Sequence, residues 1–188
     1  MLYHLKEYSK YAEITGYKKV KFALVEAFLK GKRKETNGNV DLQFFDAQLT
    51  ATKEHLYFAA LNALQAFQNK TNISKTPAME TMLYASAQRQ IQKAIQRCGI
   101  KPQTTNMAVI IIGENPTQLK TAVEAISMCV GAKPDEKVLG ISKFKEQKIT
   151  KTYQIGDEEL KAVVKNGNHV DAVVKLVIER VALLATQL

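Results

Sequence analysis

The sequence predicts an α/β fold: one small mixed β-sheet covered by several α-helices, in a single domain spanning 1–188. Three observations point there. Residues Met107–Ile112 are apolar at every position, as a strand covered on both faces must be. Several other stretches carry apolar residues at helical spacing behind capping residues. A chain of 188 residues with 46% hydrophobic residues suits one compact domain with a sizeable core, and no repeat, low-complexity tract or linker divides it.

Taken in order, residues 17–28 alternate at Val20, Phe22 and Leu24, a pattern expected of a half-buried strand. The run from Lys30 to Asn39 then predicts a basic surface loop, because a charge cluster is followed by the turn dipeptide Asn37-Gly38. Val40–Asp46 reads as a second strand. Thr50 is placed to cap a helix whose Leu56, Ala60, Ala63, Leu64 and Phe67 share a face. Asn69–Pro77 reads as loop and Met79–Ala85 as helix. Gln88–Cys98 predicts an amphipathic helix with Ile91, Ala94, Ile95 and Cys98 inward, closed by Gly99 in a left-handed cap. After the strand at Met107–Ile112, Asn115 caps a helix with Pro116 at its first position and Leu119, Val123 and Ile126 inward, ending near Gly131. A connector at Lys133–Gly140 leads to a short helix around Ser142–Thr150. Asp157–Glu159 opens a further helical stretch, and Gly167-Asn168 separates it from a last helix running to Leu188.

The chain carries a net charge of +9, and the excess is unevenly spread. Nine basic residues face four acidic ones over 1–39, six face four over 40–100, and eight face five over 101–155, whereas the last 33 residues hold four against five. A basic body suits a polyanionic partner, because each neutralised phosphate releases condensed counterions. A near-neutral, Val- and Leu-rich end suits packing against protein. No apolar run approaches the roughly 20 residues that cross a bilayer, and the start Met1-Leu2-Tyr3-His4 shows no signal-peptide pattern. A cytoplasmic protein without membrane association is therefore expected. Cys98 and Cys129 belong to no C-x-x-C pair and read as small buried thiols.

Signals for catalysis are absent. His4, His55 and His169 stand far apart, and no zinc, nucleophile-elbow or dithiol motif occurs. Ile112-Gly113-Glu114-Asn115-Pro116 follows a strand and opens a helix, but with one glycine and no phosphate-binding lysine it reads as a plain turn. The trio Asp157-Glu158-Glu159 complements a helix dipole. The sequence thus predicts no catalytic residue, no metal site and no cofactor.

Two features rise above this background. Arg89, Lys93 and Arg97 recur every fourth residue, drifting only about 80° around a helix. Glutamines surround them, and no acid occurs between Glu80 and Glu114; this is the signature of a phosphate-contacting helix. On the last helix, Val170, Val173, Val174, Val177, Ile178, Val181 and Leu184 form a stripe expected to pack on the sheet. Leu176 and Leu183 project from the other half, near Ala172. A helix apolar on two sides is buried on both or offers one to a partner, and a chain-terminal position favours the partner.

The strings Val40-Asp-Leu-Gln-Phe-Phe-Asp-Ala47, Ala51-Thr-Lys-Glu-His-Leu-Tyr-Phe-Ala-Ala60 and above all Glu80-Thr-Met-Leu-Tyr-Ala-Ser-Ala-Gln-Arg-Gln-Ile-Gln-Lys-Ala-Ile95, with the tail Val177-Ile-Glu-Arg-Val-Ala-Leu-Leu184, resemble the small PRPK-binding accessory subunit of the KEOPS/EKC complex, particularly its archaeal members. The resemblance runs from Val20 onward. It implies an α/β fold and a non-catalytic part in a complex that installs threonylcarbamoyl-adenosine in tRNA. It further implies docking on the PRPK-type kinase-like ATPase and binding of the single-stranded tRNA 3′ CCA end. The match carries Ser86, Gln88, Arg89, Gln90 and Ile91 towards RNA, with Arg89, Lys93, Lys53 and His55 as cation or phosphate contacts and Tyr84 and Ile91 as apolar ones. Ile91 must be either core or RNA contact. The kinase-facing surface falls on Leu176, Arg180 and Leu183. The competing reading is a stand-alone RNA-binding protein, ribosome-associated for instance, with no kinase partner.

Overall fold

The computed structural model describes residues 1–32 and 40–186. Strands β1 (Leu2–Leu5), β2 (Lys10–Tyr17), β3 (Val40–Asp46) and β4 (Met107–Gly113) alternate with helices α1 (Phe22–Lys32), α2 (Lys53–Gln68), α3 (Pro77–Ser86), α4 (Ile91–Cys98), α5 (Pro116–Val130), α6 (Lys143–Tyr153), α7 (Asp157–Val163) and α8 (His169–Thr186). The fold is α/β, as its sequence predicts. The strands lie in the order β1-β2-β4-β3, and every pairing is antiparallel.

Central β4 is buried at all seven positions, because helices cover both faces of the sheet. Alternate side chains divide between two cores, as the two-residue period of a strand requires. Ala108, Ile110 and Ile112 join Ala12, Ile14 and Phe45 under α2 and its neighbours. Met107, Val109 and Ile111 join Tyr17, Phe44, Val25, Leu119 and Ile126 under α1 and α5.

Several expectations are corrected. The segment 17–28 does not form a strand; it yields β2's last residue and then α1. Phe22, Val25 and Leu29 also recur at helical spacing, and burying Val25 against α5's core settles the ambiguity. The strands of this region are β1 and β2, joined by a short 3-10 turn at Lys6–Tyr8. Of the basic loop expected at 30–39, residues 33–39 lie outside the described residues, while 30–32 end α1. Helix α2 is capped by Thr52, whose Oγ1 accepts from the His55 amide at 3.5 Å; the Thr50 hydroxyl instead donates to the Asp46 carbonyl.

Helix α5 starts and stops as its sequence dictates. The Asn115 side chain accepts from the Thr117 amide at 2.9 Å, Pro116 follows, and Gly131 takes a φ of 65° that a side chain would disfavour. Gly99 acts differently: its φ is −71°, not left-handed. A Cβ there would stand 2.6 Å from the Ile95 carbonyl oxygen, so the absence of a side chain is what the tight exit from α4 requires. Helix α8 rests on α2, α6, α7 and α3 in place of the sheet, and β2 is covered by α2 on one face and α5 on the other. Among the described residues no helix is long and apolar enough to cross a membrane.

Candidate functional site

The residues expected to meet RNA cluster where α3 turns into α4. Helix α3 is held from its start: Thr76 caps it through the Met79 amide, and the buried Glu80 carboxylate accepts from the Ser74 amide at 2.7 Å and the Ile73 amide at 3.1 Å. A buried carboxylate needs such donors to offset its desolvation. They pin the loop ahead of α3 to the helix.

At its far end α3 stops in the left-handed Ala87, φ 49°, with the Gln88 amide bonded back to the Leu83 carbonyl at 3.0 Å. Helix α4 therefore begins at Ile91, three residues later than the sequence pattern suggests. Arg89 and Gln90 stand in the turn, with Gln90 at the cap position, and only Lys93 and Arg97 of the basic triplet lie on the helix. Arg97 is half-buried, and its Nη1 donates to the Ser86 carbonyl at 3.0 Å. Such a charged hydrogen bond contributes about 1.5–3 kcal/mol and ties α4 to the end of α3.

Ala94 and Cys98 face the core as expected, but Ile91 is 37% exposed and Ile95 41%. Ile91 is thus not a core residue. It walls a groove of about 570 Å³ that runs along the edge strand β3, with Leu29, Val40, Leu42, Ile73 and Met79 as its other apolar walls and Lys75 at its side. On the opposite side of α4 lies a shallow depression of about 560 Å³ lined by Gln88, Lys93, Gln96, Arg97, Lys101 and, across from them, Leu49 and Thr152. No carboxylate lines it. Helix α4 therefore separates an apolar groove from a basic one.

The remaining expected contacts have other positions. Ser86 is buried and its hydroxyl donates to the Leu83 carbonyl. Tyr84 is buried as well, with burial pushing its phenol above the usual range. Gln88 holds the Ala87 carbonyl through its side-chain amide at 2.8 Å. Lys53 reaches away from this region, its Nζ 3.5 Å from the sulfur of Met1 on the β1 edge.

His55 is fully buried and cannot meet RNA. Its Nδ1 accepts from the Ala51 amide at 3.1 Å, and its Nε2 lies 2.9 Å from the Ala85 carbonyl, so the neutral form with its proton on Nε2 satisfies both contacts. Burial lowers its pKa to about 4, opposed by the Ala85 bond and aided by Lys145. The Tyr153 hydroxyl meets the same carbonyl at 2.8 Å, with the Leu49 carbonyl at 3.1 Å and Cys98 Sγ at 3.4 Å. Five segments are knotted here: the start of α2, the end of α3, α4, α6 and the residue Leu49 after β3. Burial accordingly pushes the Cys98 thiol up to about 11. Sequence reasoning missed this knot, since nothing local signals that a histidine and a tyrosine share the Ala85 carbonyl while a thiol meets the tyrosine hydroxyl.

On α8 the structure corrects the partner surface. Leu176 and Ala172 are buried, like Val173, Val177, Val181 and Leu184 on the other side, so this part of the helix is covered on two sides by its neighbours. Leu183 is 43% exposed. Arg180 is held by Glu159, which accepts from its Nη2 at 2.6 and 2.8 Å. Leu183 and Arg180 share a pocket of about 200 Å³ with Gln88, Arg97 and Gln154. The surface expected for a partner thus adjoins that expected for RNA. Among the described residues, no three His, Cys, Asp or Glu side chains converge as metal ligands.

Two comparisons bear on this arrangement. The family model described as kinase binding protein CGI-121 matches residues 17–185. The chain belongs to this family. It is also 32% identical over 119 residues to "Regulatory protein Cgi121" of Methanocaldococcus jannaschii, covering 63% of this chain and 74% of that one. The resemblance read from the sequence is therefore borne out. The matched region of this CGI-121 family member runs from the end of β2 through most of α8, and so includes the groove along β3, the basic depression and Leu183.

The His55 knot makes stability depend on pH in a defined direction. The unfolded histidine titrates near 6.5 and the folded one near 4, so the unfolded chain takes up the proton first as pH falls. Stability from this group is whole above pH 6.5 and is lost progressively towards pH 4, by roughly 3 kcal/mol at 1.36 kcal/mol per unit. Urea unfolding at pH 7 and pH 4 should show this loss in the wild type. His55→Gln should be less stable at pH 7 and should lose less on acidification.

Proposed function

We propose that this chain is a non-catalytic accessory subunit of the KEOPS/EKC complex. It docks on the kinase-like ATPase subunit, holds the 3′ CCA end of tRNA, and so supports threonylcarbamoyl-adenosine modification. Family membership supports the kinase partner, because kinase binding is what the family is described by. The observation that carries the RNA half is the pairing around α4: an apolar groove ending at Ile91 on one side and carboxylate-free cations on the other. Single-stranded RNA needs both kinds of surface, apolar faces against its bases and cations against its phosphates. In this reading the terminal bases lie against Ile91, Ile73 and Met79. Arg89 and Lys93 take the phosphates.

The CCA assignment is tested with one tRNA, intact or lacking its three terminal nucleotides, at two salt concentrations. Binding of the intact tRNA should be at least tenfold tighter at both salts, and Arg89→Glu should remove that advantage. Equal, salt-sensitive binding of both tRNAs would reduce the basic surface to a nonspecific polyanion site.

The kinase half turns on Leu183, the exposed residue of the expected partner surface, with Arg180 held beside it by Glu159. Leu183→Glu should abolish co-purification with the kinase-like subunit and leave thermal unfolding within a few degrees of wild type. Retention of the complex would move the kinase surface elsewhere. Recovery of ribosomes in place of the kinase would favour the stand-alone RNA-binding reading.

A further inference from the structure

Helix α6 carries a surface that none of the contacts above uses. Its Phe144 is 64% exposed, a large aromatic ring at the start of a helix whose other apolar residues, Ile149 and Tyr153, are buried. Between Lys137 and Asp157 the sequence holds four lysines and a single acid, Glu146. One of those lysines, Lys145, points inward, its Nζ donating to the Val138 carbonyl at 3.3 Å and the Gly140 carbonyl at 3.0 Å. Lys148 and Lys151 are exposed.

Phe144, Lys148 and Thr152 recur every fourth residue and so form one row, about 12 Å long, with Glu146 on the far side of the helix. The Lys148 ammonium lies 4.6 Å from the centre of the Phe144 ring. It covers one face of that ring. At its far end the row enters the basic depression through Thr152, where Lys93, Arg97 and Lys101 stand opposite. A continuous track thus joins α6 to α4, with an aromatic ring at one end and cations along its length.

We propose that this track binds single-stranded RNA, with Phe144 stacking on a base and Lys148, Lys93 and Lys101 holding phosphates. The inference rests on the RNA reading above and adds to it a second contact, away from the groove at Ile91. Exposed lysines around an exposed aromatic ring favour a polyanion, since protein–protein interface cores are depleted in lysine, whereas stacking platforms flanked by cations are how single strands are held.

The chain contains no tryptophan, so Phe144→Trp supplies a single fluorescent reporter at the site. Titrating this variant with a tRNA ending in CCA should quench its emission. Phe144→Ala should weaken tRNA binding roughly tenfold with an unchanged salt dependence. Lys148→Glu should weaken it and reduce the slope of log affinity against log salt by about one. Both side chains are exposed, so unchanged thermal unfolding serves as the check on fold. An unquenched reporter, with both variants within twofold of wild type while Arg89→Glu loses binding, would overturn this inference and leave the CCA reading intact. Failure of the wild-type chain to bind tRNA at all would overturn both. Normal tRNA binding by Lys148→Glu, coupled with loss of the kinase-like subunit, would reassign the track to a protein partner.

Discussion

Strand β4 is the constraint from which the architecture follows. Six consecutive apolar side chains, Met107 to Ile112, point alternately to both faces of the sheet, so neither face can be left to water. At about 25 cal/mol per Å² of apolar surface, exposing either row would cost several kcal/mol. Helices α1 and α5 cover one face and the α2–α3 layer the other. This leaves β3 as an edge strand, and the groove along it is bounded by whatever the covering helices place there. The candidate RNA surface is therefore a by-product of how the sheet is covered, sharpened by what happens at the end of α3.

That end is fixed by polar chemistry inside an apolar layer. The Ala85 carbonyl receives His55 and Tyr153, and the next carbonyl, of Ser86, receives Arg97. Adjacent peptide groups thus tie α3 to α2, α6 and α4 at once. With α4 clamped in this way, Ile91 on one side and Lys93 on the other keep a fixed separation, which a surface reading both bases and phosphates requires. The cation among these partners, Arg97, contributes rigidity to the clamp as well as charge to the depression.

Much of this was legible in the sequence where the signal is local. Asn115, Pro116 and Gly131 mark α5 at both ends, and the apolar run of β4 announces its own two-sided burial. Strands β1 and β2 were not legible, because their pairing is set by distant residues, such as Tyr11 opposite Gly113, and because Val20, Phe22 and Leu24 satisfy the strand period by chance while Phe22, Val25 and Leu29 satisfy the helical one. The site shows the same division. The basic and apolar character around α4 was readable from Arg89 to Arg97, yet the left-handed Ala87 that puts Arg89 in a turn was not. Leu176 and Leu183 look equivalent one heptad apart, and only the packing of neighbouring helices on α8 buries the first and leaves the second exposed. His55 and Ser86 carry polar side chains that sequence alone reads as surface; burial is tolerated because a backbone carbonyl accepts from each, that of distant Ala85 for His55 and that of Leu83, one turn back in α3, for Ser86.

The central claim is that one chain holds the kinase-like subunit and tRNA at the same time, from adjoining surfaces that meet in the pocket shared by Gln88, Arg97, Arg180 and Leu183. The most direct measurement is a titration of tRNA into the chain alone and into its preformed complex with the kinase-like subunit, following particle mass and affinity together. The account predicts a three-component particle whose tRNA affinity is at least that of the free chain. Release of the kinase-like subunit as tRNA binds would show that the two surfaces are one and would contradict it.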